Sequence, residues 1–438
     1  LCNWSQGYTR RSLAQVWADR SGETIDWFTD VLAESGIDFR HEIDEKHEGD
    51  NYEVLDVGHS TQYGEEYSEQ LTMDAVLKHA EADGLEVQYE ITMVKLEKDG
   101  NRVTGLIAKN ANDEYVRYNA SKGVILACGG YSGNETMMNA LQPQSVEQTC
   151  INYSKPGAKG DGIKACLWAG AIMDQTHTSM IFDRGAIKPD QVGEYGKAND
   201  GALFWMGSQP FLKVNLNGER FMNEDLPGQQ LENQIELQKN RESWQIFDSN
   251  WPEQLPYMPA AHGGACYYED YASEDEGPKN KTTYRNYKSP YQLEAAVADG
   301  RAVKADTLEE LVAKIYPDDT AAQQTALDSI QRYNELAKAG YDEDFHKSAS
   351  RMWAVENGPF YADKFTTALL LVCIGGLESD EDCHTFDADR NVIPGLYVAG
   401  NIQGNRFATE YPIGLKGVSH SMAMYYGYVA GKNALKDI

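Results

Sequence analysis

The sequence has no pair of cysteines at C-x-x-C spacing and no histidine spacing of the kind that holds a metal. Its seven cysteines, Cys2, Cys128, Cys150, Cys166, Cys266, Cys373 and Cys383, are scattered along the chain. That scatter speaks against a zinc site or an iron–sulfur cluster, and the odd number speaks against a complete disulfide framework. Long apolar runs are also missing: the longest, Ala368 to Ile374, is far short of the roughly 20 residues a membrane span needs. Basic residues are scarce, 39 Lys and Arg against 68 Asp and Glu, for a formal charge of -29. A surface of that sign repels nucleic-acid phosphates and anionic lipid, so no nucleic-acid partner is expected, although a local basic pocket can still hold an anion. Most of the acidic charge reads as surface that keeps a secreted or salt-exposed protein in solution. The chain opens Leu1-Cys2-Asn3, with no methionine and no leader-like segment. A targeting signal is therefore expected to have been removed or to lie elsewhere, which leaves a cytoplasmic and an exported location both open.

What is present is a large, mixed chain of 438 residues, 41% apolar and 11% aromatic, enough for two or three domains. Residues 7 to 40 carry Ala14, Val16, Trp17, Ile25, Trp27, Phe28, Val31 and Leu32 at helical spacing, ended by Gly36. Arg40 to Gly64 is polar and reads as a solvated loop or lid. Leu71 to Ala82 is a second amphipathic helix. A β meander is expected over Glu86 to Ile91, Thr92 to Glu97 and Val103 to Ala108, with Asp99-Gly100-Asn101 as the hairpin turn between the last two. Four apolar residues, Val124 to Ala127, then predict a buried strand running into Cys128, Gly129 and Gly130, where the backbone can pass close to a flat or charged group. A second strand–loop–helix unit closes the chain: Leu396 to Ala399, then Gly400, then a polar loop, then a helix from Val418. Unpaired amides at that helix start, around Gly417, Val418 and Ser419, can donate to an electron-rich ligand atom. Either unit alone is most simply an ordinary βα element of a parallel sheet. Two of them make a nucleotide-type site worth considering.

The order of these elements carries a resemblance. Gly123 to Asn134 is similar to the V-I-L-A-[TC]-G-G-[FY]-x-x-N segment of the fumarate reductase and succinate dehydrogenase flavoprotein superfamily, the FAD-dependent oxidoreductase 2 type. That superfamily also holds urocanate reductases, 3-ketosteroid dehydrogenases and reductases of anaerobic gut actinobacteria. Gly160-Asp161-Gly162 resembles its G-D-G helix start, and Val214 to Glu224 its V-N-x-x-G-x-R-F-x-N-E turn. Ala305 to Leu311, Arg332-Tyr333-Asn334 and Gly340 to Phe345 resemble its capping-domain signatures. Pro359 to Ala362, Ile374 to Leu377 and Ile393 to Gly400 complete the series, in order, over almost the whole chain. The resemblance implies an α/β fold: a discontinuous Rossmann-like FAD-binding domain, residues 1–230 and 351–438, with an α+β capping domain inserted at 231–350. It implies FAD as cofactor and Val94, Ala127, Cys128, Gly129, Gly130, Asn134, Asp161, Gly400, Asn401, Gly417, Val418 and Ser419 as cofactor-binding residues. Asn401 stands where the family carries an acidic residue toward the ribityl chain.

One family feature is absent. The superfamily opens with a βαβ unit carrying G-x-G-x-x-G, whose glycines cradle the pyrophosphate. This sequence has no such fingerprint, so about a hundred N-terminal residues, on the scale of a usual domain, are expected to be supplied by a missing segment or a separate subunit. Some motif residues have plainer readings: Thr307 and Glu310 form a helix cap, Glu219-Arg220 and Asn223-Glu224 fix a turn, and the aromatics from Trp244 to Tyr257 with Tyr267-Tyr268 can equally pack or face a ligand.

The chemistry implied by the resemblance is hydride exchange between flavin N5 and an activated C=C or C-C bond, with a protein group handling the proton. The residues that clamp carboxylates in fumarate-reducing members are not matched: Gly228 stands where the proton-delivering Arg would fall, Leu371 or Val372 at the clamping His, and Gly414 near the clamping Arg. Each charge-assisted bond lost this way is normally worth roughly 1.5 to 3 kcal/mol. The loop instead offers Arg406, Glu410, Tyr411, Lys416 and His420, and Glu410-Tyr411-Pro412 resembles the Tyr-Pro loop of ketosteroid dehydrogenases. The catalytic candidates are Tyr411, which can polarise or protonate a carbonyl without being charged, Arg406, Glu410, and His177 from the Gln175 to Thr178 segment. Arg406 and Glu410 could also form a loop salt bridge, and His420 could cap or pack.

Three classes of function stay open: an ene-reductase or dehydrogenase for an α,β-unsaturated ketone, steroid-like compound or acrylate; a fumarate- or urocanate-type carboxylate reductase with rearranged ligands; and a non-catalytic binding fragment. Expected partners are a small-molecule substrate and a redox partner that supplies electrons. The purified protein is expected to show flavin absorbance bands; a colourless protein would remove the cofactor from this chain.

Overall fold

The computed structural model describes residues 1–2, 5, 7–41, 59–62, 69–152, 157–193, 209–226, 228–254, 271–273, 277–278, 290–412, 415 and 417–436. Pro227, Tyr257, Tyr267, Tyr268, Gly414, Lys416 and most of the 40–64 stretch lie outside them.

The strand Phe360–Ile374 is the longest in the fold, at 15 residues, and joins its two halves. Its first half pairs antiparallel with Glu242–Asp248, in register from Phe360↔Asp248 to Thr366↔Glu242, and with Ala302–Ala305. Leu212–Asn215 lies on the far side of Glu242–Asp248. Its second half turns to other partners, antiparallel to Thr178–Ile187 and parallel to Ile151–Asn152. The six strands form one sheet that draws on segments both before residue 231 and after residue 350.

Helices Leu308–Ile315 and Thr320–Ala339 cover the first half. Their apolar faces, Leu311, Val312, Ile315, Ala326 and Ile330, pack with Val214, Trp244, Ile246 and Ala362 in one core. Trp244 is thus a core residue. Thr307 caps the first of these helices, its hydroxyl accepting the Glu310 N–H at 3.2 Å. A second core joins Val124, Leu126, Leu396 and Val398 to the helix Asp161–Trp168 through Ile163, Ala165 and Cys166. There, Val124–Leu126 runs parallel to Val392–Val398, with Leu396↔Val124 and Val398↔Leu126. The N-terminal helix Arg11–Ala33 packs on the C-terminal helix Val418–Lys436, and Tyr426 Oη donates to the Leu13 carbonyl at 2.6 Å.

Three local expectations change. The meander is shifted by one strand: it comprises Thr92–Asp99, Arg102–Lys109 and Tyr115–Asn119, with the turn at Gly100-Asn101 as expected. Glu86 to Ile91 is not part of it, because no described neighbour offers its backbone a ladder, and Leu85, Val87 and Tyr89 stay exposed. The expected buried strand at 124–127 is a three-residue edge strand, with Ile125 41% exposed and Ala127 beyond its end. The 40–64 stretch is strand at its margins, where Asp38–His41 pairs antiparallel with His59–Gln62.

The Glu219–Glu224 turn does more than pair locally. Arg220 is held by Glu224 at 2.9 Å and by Asp342, from the loop after Thr320–Ala339, at 2.7 Å. Its guanidinium lies between the rings of Tyr333 and Phe345, 4.9 Å from each. Lys347 reaches Glu224 at 3.2 Å, and Arg351 reaches Asp225 at 3.2 Å. Both carboxylates of the Arg220 pairs are held below their ordinary range by these cations, against the opposing effect of burial. Replacing Arg220 by Met leaves Glu224 and Asp342 short of a partner in the interior and is expected to cost about 3–5 kcal/mol in urea unfolding; a change within the error of the measurement would show that the cluster does not hold the turn.

Candidate functional site

The carboxyl ends of the parallel strands Val124–Leu126 and Val392–Val398 open onto the two glycine turns named from the sequence, the position where ligands enter open α/β sheets. Gly129 has φ +78° and Gly400 φ +75°. A Cβ built on Gly129 meets nothing within 4 Å, whereas one on Gly130 would lie 3.7 Å from the Asn401 carbonyl oxygen. The turns therefore abut, with open space on the Gly129 side. Ala127 and Cys128 are exposed beside them. Val94 occupies the irregularity between Met93 and Lys95 in its strand.

Two predicted residues have side chains already committed. Asn134 caps the helix Glu135–Leu141, accepting the Met137 N–H at 3.1 Å and donating to the Lys159 carbonyl at 2.8 Å. Asp161 pairs with Lys164 at 2.7 Å. At the start of Val418–Lys436 the amides are less open than expected. Val418 N–H donates to the Leu415 carbonyl at 3.3 Å, and Ser419 N–H is directed at the Tyr411 phenol oxygen, because the chain folds Tyr411 back over the helix start. Gly417, φ +70°, remains exposed with nothing near its Cα.

The loop after Gly400 gathers the catalytic candidates. Arg406 is 4% exposed. It donates from Nη2 to Asn401 Oδ1 at 2.7 Å and from Nε to the Gln403 carbonyl at 3.1 Å, and its guanidinium lies 4.9 Å from the centre of the Phe407 ring. The Phe407 ring meets Tyr411 edge-on at 5.0 Å. Ser419 Oγ also reaches Asn401 Oδ1, at 3.4 Å. Arg406 is thus turned to Asn401 and Gln403, rather than held in a salt bridge to Glu410. Glu410 is half-buried and His420 exposed. Burial raises the Tyr411 phenol, with the Ser419 N–H and the Arg406 charge opposing, so it is a neutral O–H at pH 7. Burial brings Arg406 down to about 10, which still leaves it cationic.

His177 joins this loop through a residue the sequence reading passed over. Asp174 is 4% exposed; Oδ1 accepts the Gly376 N–H at 3.2 Å and Oδ2 the Asn405 N–H at 2.8 Å. His177 Nδ1 lies 3.6 Å from Asp174 Oδ1, too long for a hydrogen bond, and burial lowers its pKa. Burial also pushes Asp174 up to about 6, against the two amides and Arg406. Gln403 and Asn405 were likewise missed. A lone acid ending the apolar run Ala171-Ile172-Met173 was a weak signal for the first, and nothing in a Gly- and Asn-rich loop marked the others.

Buried polar atoms cluster here without partners: His177 Nδ1, both amide atoms of Gln403, Asn405 Nδ2 and Arg406 Nη1. Native interiors rarely leave such atoms unpaired, and a ligand is an ordinary explanation. The open Gly129 face fits FAD, and these polar atoms are left for the flavin or its substrate to satisfy. The other concavity, about 430 Å³ between Tyr8, Arg10, Glu378, Phe386, Arg390 and Asn405, has both arginines committed to Glu378. No group of His, Cys, Asp and Glu among the described residues could hold a metal, and no described helix is long and apolar enough to cross a membrane.

Comparison with known proteins gives the family. The chain matches the FAD binding domain family over residues 4–414 and belongs to it. It is 26% identical over 433 residues to the vinyl phenol reductase of Lactiplantibacillus plantarum, spanning 97% of this chain and 81% of that protein. It is 27% identical over 432 residues to the NADH:acrylate oxidoreductase of Vibrio harveyi, covering 98% of this chain and 37% of that one. A 3-oxosteroid 1-dehydrogenase of Mycobacterium tuberculosis is 29% identical over 350 residues, 74% of this chain and 54% of that one. The chain thus spans only about half or less of the last two. In fold it is similar to the open conformation of a flavocytochrome c3 fumarate reductase, with TM-score 0.65 and 20% identity over 100% of this chain and 66% of the other. The architecture is that of the fumarate reductase-like flavoproteins, an FAD-binding domain with a capping domain. Its class is that of the FAD-dependent oxidoreductases that act on carbon–carbon bonds.

A Cβ at Gly376 would lie 2.3 Å from the Ile402 carbonyl oxygen and 3.0 Å from Gly404 N. Gly376→Ala is expected to lower stability by about 1–3 kcal/mol through that backbone clash and to weaken FAD retention, measured by urea unfolding and by the flavin-to-protein absorbance ratio.

Proposed function

We propose that this protein is a flavin-dependent ene-reductase or dehydrogenase whose substrate carries an electron-withdrawing oxygen next to the reacting C=C: an α,β-unsaturated ketone, a steroid-like compound or an acrylate. The observation that carries this reading is the open, buried Arg406 Nη1 in the loop where the Phe407 ring contacts both Arg406 and Tyr411. FAD, when bound, supplies the hydride exchange at one carbon of the double bond. The chain's own residues handle the oxygen and the proton.

The Ser419 N–H and hydroxyl both meet the Tyr411 phenol, and on substrate binding the neutral phenol can turn its hydrogen to a substrate carbonyl. Arg406 Nη1 adds a fixed positive charge where negative charge builds on that oxygen, in an interior where such an interaction is stronger than in water. Asn401, by accepting from Arg406 Nη2, fixes the guanidinium plane. His177, neutral and with Nδ1 open, can take or return a proton on the neighbouring carbon. Glu410 stands at the rim. Gly417 and Ser419, with Gly129, Gly130, Gly400 and Asn401, are assigned to the flavin's surroundings, and residues 231–350 to the cap. A redox partner or small-molecule donor must provide two electrons per reduction.

The names of two relatives support the substrate range, acrylate and 3-oxosteroid each placing a carbonyl oxygen beside the reacting carbons, whereas a vinyl phenol carries its oxygen across an aromatic ring from the vinyl group. A carboxylate reductase of the fumarate or urocanate type is the second reading, favoured by Arg406 as a cation that can meet an anionic oxygen. Anaerobic reoxidation of the reduced protein by a panel of enones, vinyl phenols, acrylates and dicarboxylates separates the two, and reoxidation by dicarboxylates alone would overturn the first. Tyr411→Phe is expected to lower turnover about 10²–10⁴-fold while chemical reduction of the flavin proceeds unchanged. Unaltered turnover would remove Tyr411 from the chemistry.

A further inference from the structure

Asp174 is the one side chain that ties together the three segments around the open nitrogens. It sits just before the strand Thr178–Ile187 and bonds to backbone 202 residues away, at Gly376, and 231 residues away, at Asn405. The contact is close: a Cβ on Gly404 would lie 2.7 Å from Asp174 Oδ2. Gly376 belongs to the turn that ends the long strand, and a Cβ on neighbouring Gly375 would meet His177 Nδ1 at 2.9 Å. Asn405 precedes Arg406. One carboxylate oxygen thus holds the turn that packs on His177, and the other holds the loop that carries Arg406.

We propose that Asp174 is a positioning residue: as a carboxylate it locks the Gly375–Gly376 turn to the Gln403–Arg406 loop, and its protonation releases one of the two. A carboxylate offers two acceptors, one for each amide. A proton on either oxygen places a hydrogen there and makes that oxygen a poorer acceptor, so one of the two amide bonds is weakened. Asparagine has the same defect at every pH, whereas glutamate keeps both acceptors on a longer arm. The charged and titratable groups facing Asp174 are Arg406, which favours the anion, Glu378, which disfavours it, and His177 and Tyr131. Burial pushes Asp174 up to about 6, while the two amides and Arg406 hold it below where burial alone would put it, so proton uptake is coupled to loss of an amide bond. The carboxylate is therefore fully formed above that range and lost as pH falls through it.

The lock stands on backbone contacts alone; only its effect on catalysis rests on the substrate placement proposed above. The test is hydrogen–deuterium exchange on the protein as purified, corrected for intrinsic rates, between about pH 5 and about pH 8. In the wild type, protection of peptides covering residues 372–378 or 402–409 is expected to fall roughly tenfold or more as pH drops through the Asp174 titration, with the helix Thr320–Ala339 unaffected. Asp174→Asn is expected to show the low-protection pattern at all pH values, and Asp174→Glu to restore a step. The acid limb of kcat/KM is expected to disappear in Asp174→Asn. A flat wild-type exchange profile overturns the proposal, as does Asp174→Asn with full protection at both segments; if that variant loosens the whole chain, the wild-type pH series decides. A protein inert toward every acceptor tried, but with the exchange step intact, would instead overturn the proposed substrate and leave the lock standing.

Discussion

Phe360–Ile374 must find hydrogen-bond partners for its backbone in two directions, and most of the architecture follows from how it does so. Fifteen extended residues cannot be buried with unpaired amides. The first half takes its partners from Glu242–Asp248 and Ala302–Ala305, the second from Thr178–Ile187 and Ile151–Asn152. One continuous strand thus couples the helix-covered half of the molecule to the glycine turn at Gly375, where φ of +121° ends the extended run.

Buried charge is used in two contrasting ways. Arg220 is surrounded by two carboxylates and two aromatic rings, so its charge and its donors are matched within the protein. Such a cluster fixes geometry and has no capacity left for a ligand. Arg406 has comparable burial but meets only neutral oxygens, on Asn401 and Gln403, and keeps Nη1 open. Leaving a buried cation short of acceptors costs stability, and a ligand oxygen at Nη1 would offset that cost.

The site as proposed differs in kind from one built to clamp two carboxylates. Its proposed donors are a phenol, a single guanidinium and side-chain amides, a set suited to one polarisable oxygen. On that proposal, the loop after Gly400 selects the substrate on a family scaffold shared with relatives named for a vinyl phenol, an acrylate and a 3-oxosteroid.

Much of this was legible in the chain itself. Local signals with a single physical meaning predicted their elements: Gly100-Asn101 made its turn, Thr307 and Glu310 their cap, and the apolar spacing of residues 11–33 their helix. Motif order was enough to identify the family, because many weak signals in sequence constrain one another. Strand pairing was not legible in the same way. Glu86 to Ile91 has as good a β pattern as Tyr115–Asn119, yet only the second has a neighbour to pair with. Nor could spacing reveal that Asn134 and Asp161 have committed side chains, or that Asp174, more than 200 residues from Gly376 and Asn405 in sequence, supplies their hydrogen bonds. Residue types and their order determined the family, the cofactor and the candidate loop. Which atoms are left open for chemistry was decided only by tertiary structure, because whether a polar atom is satisfied depends on neighbours brought together from distant parts of the chain.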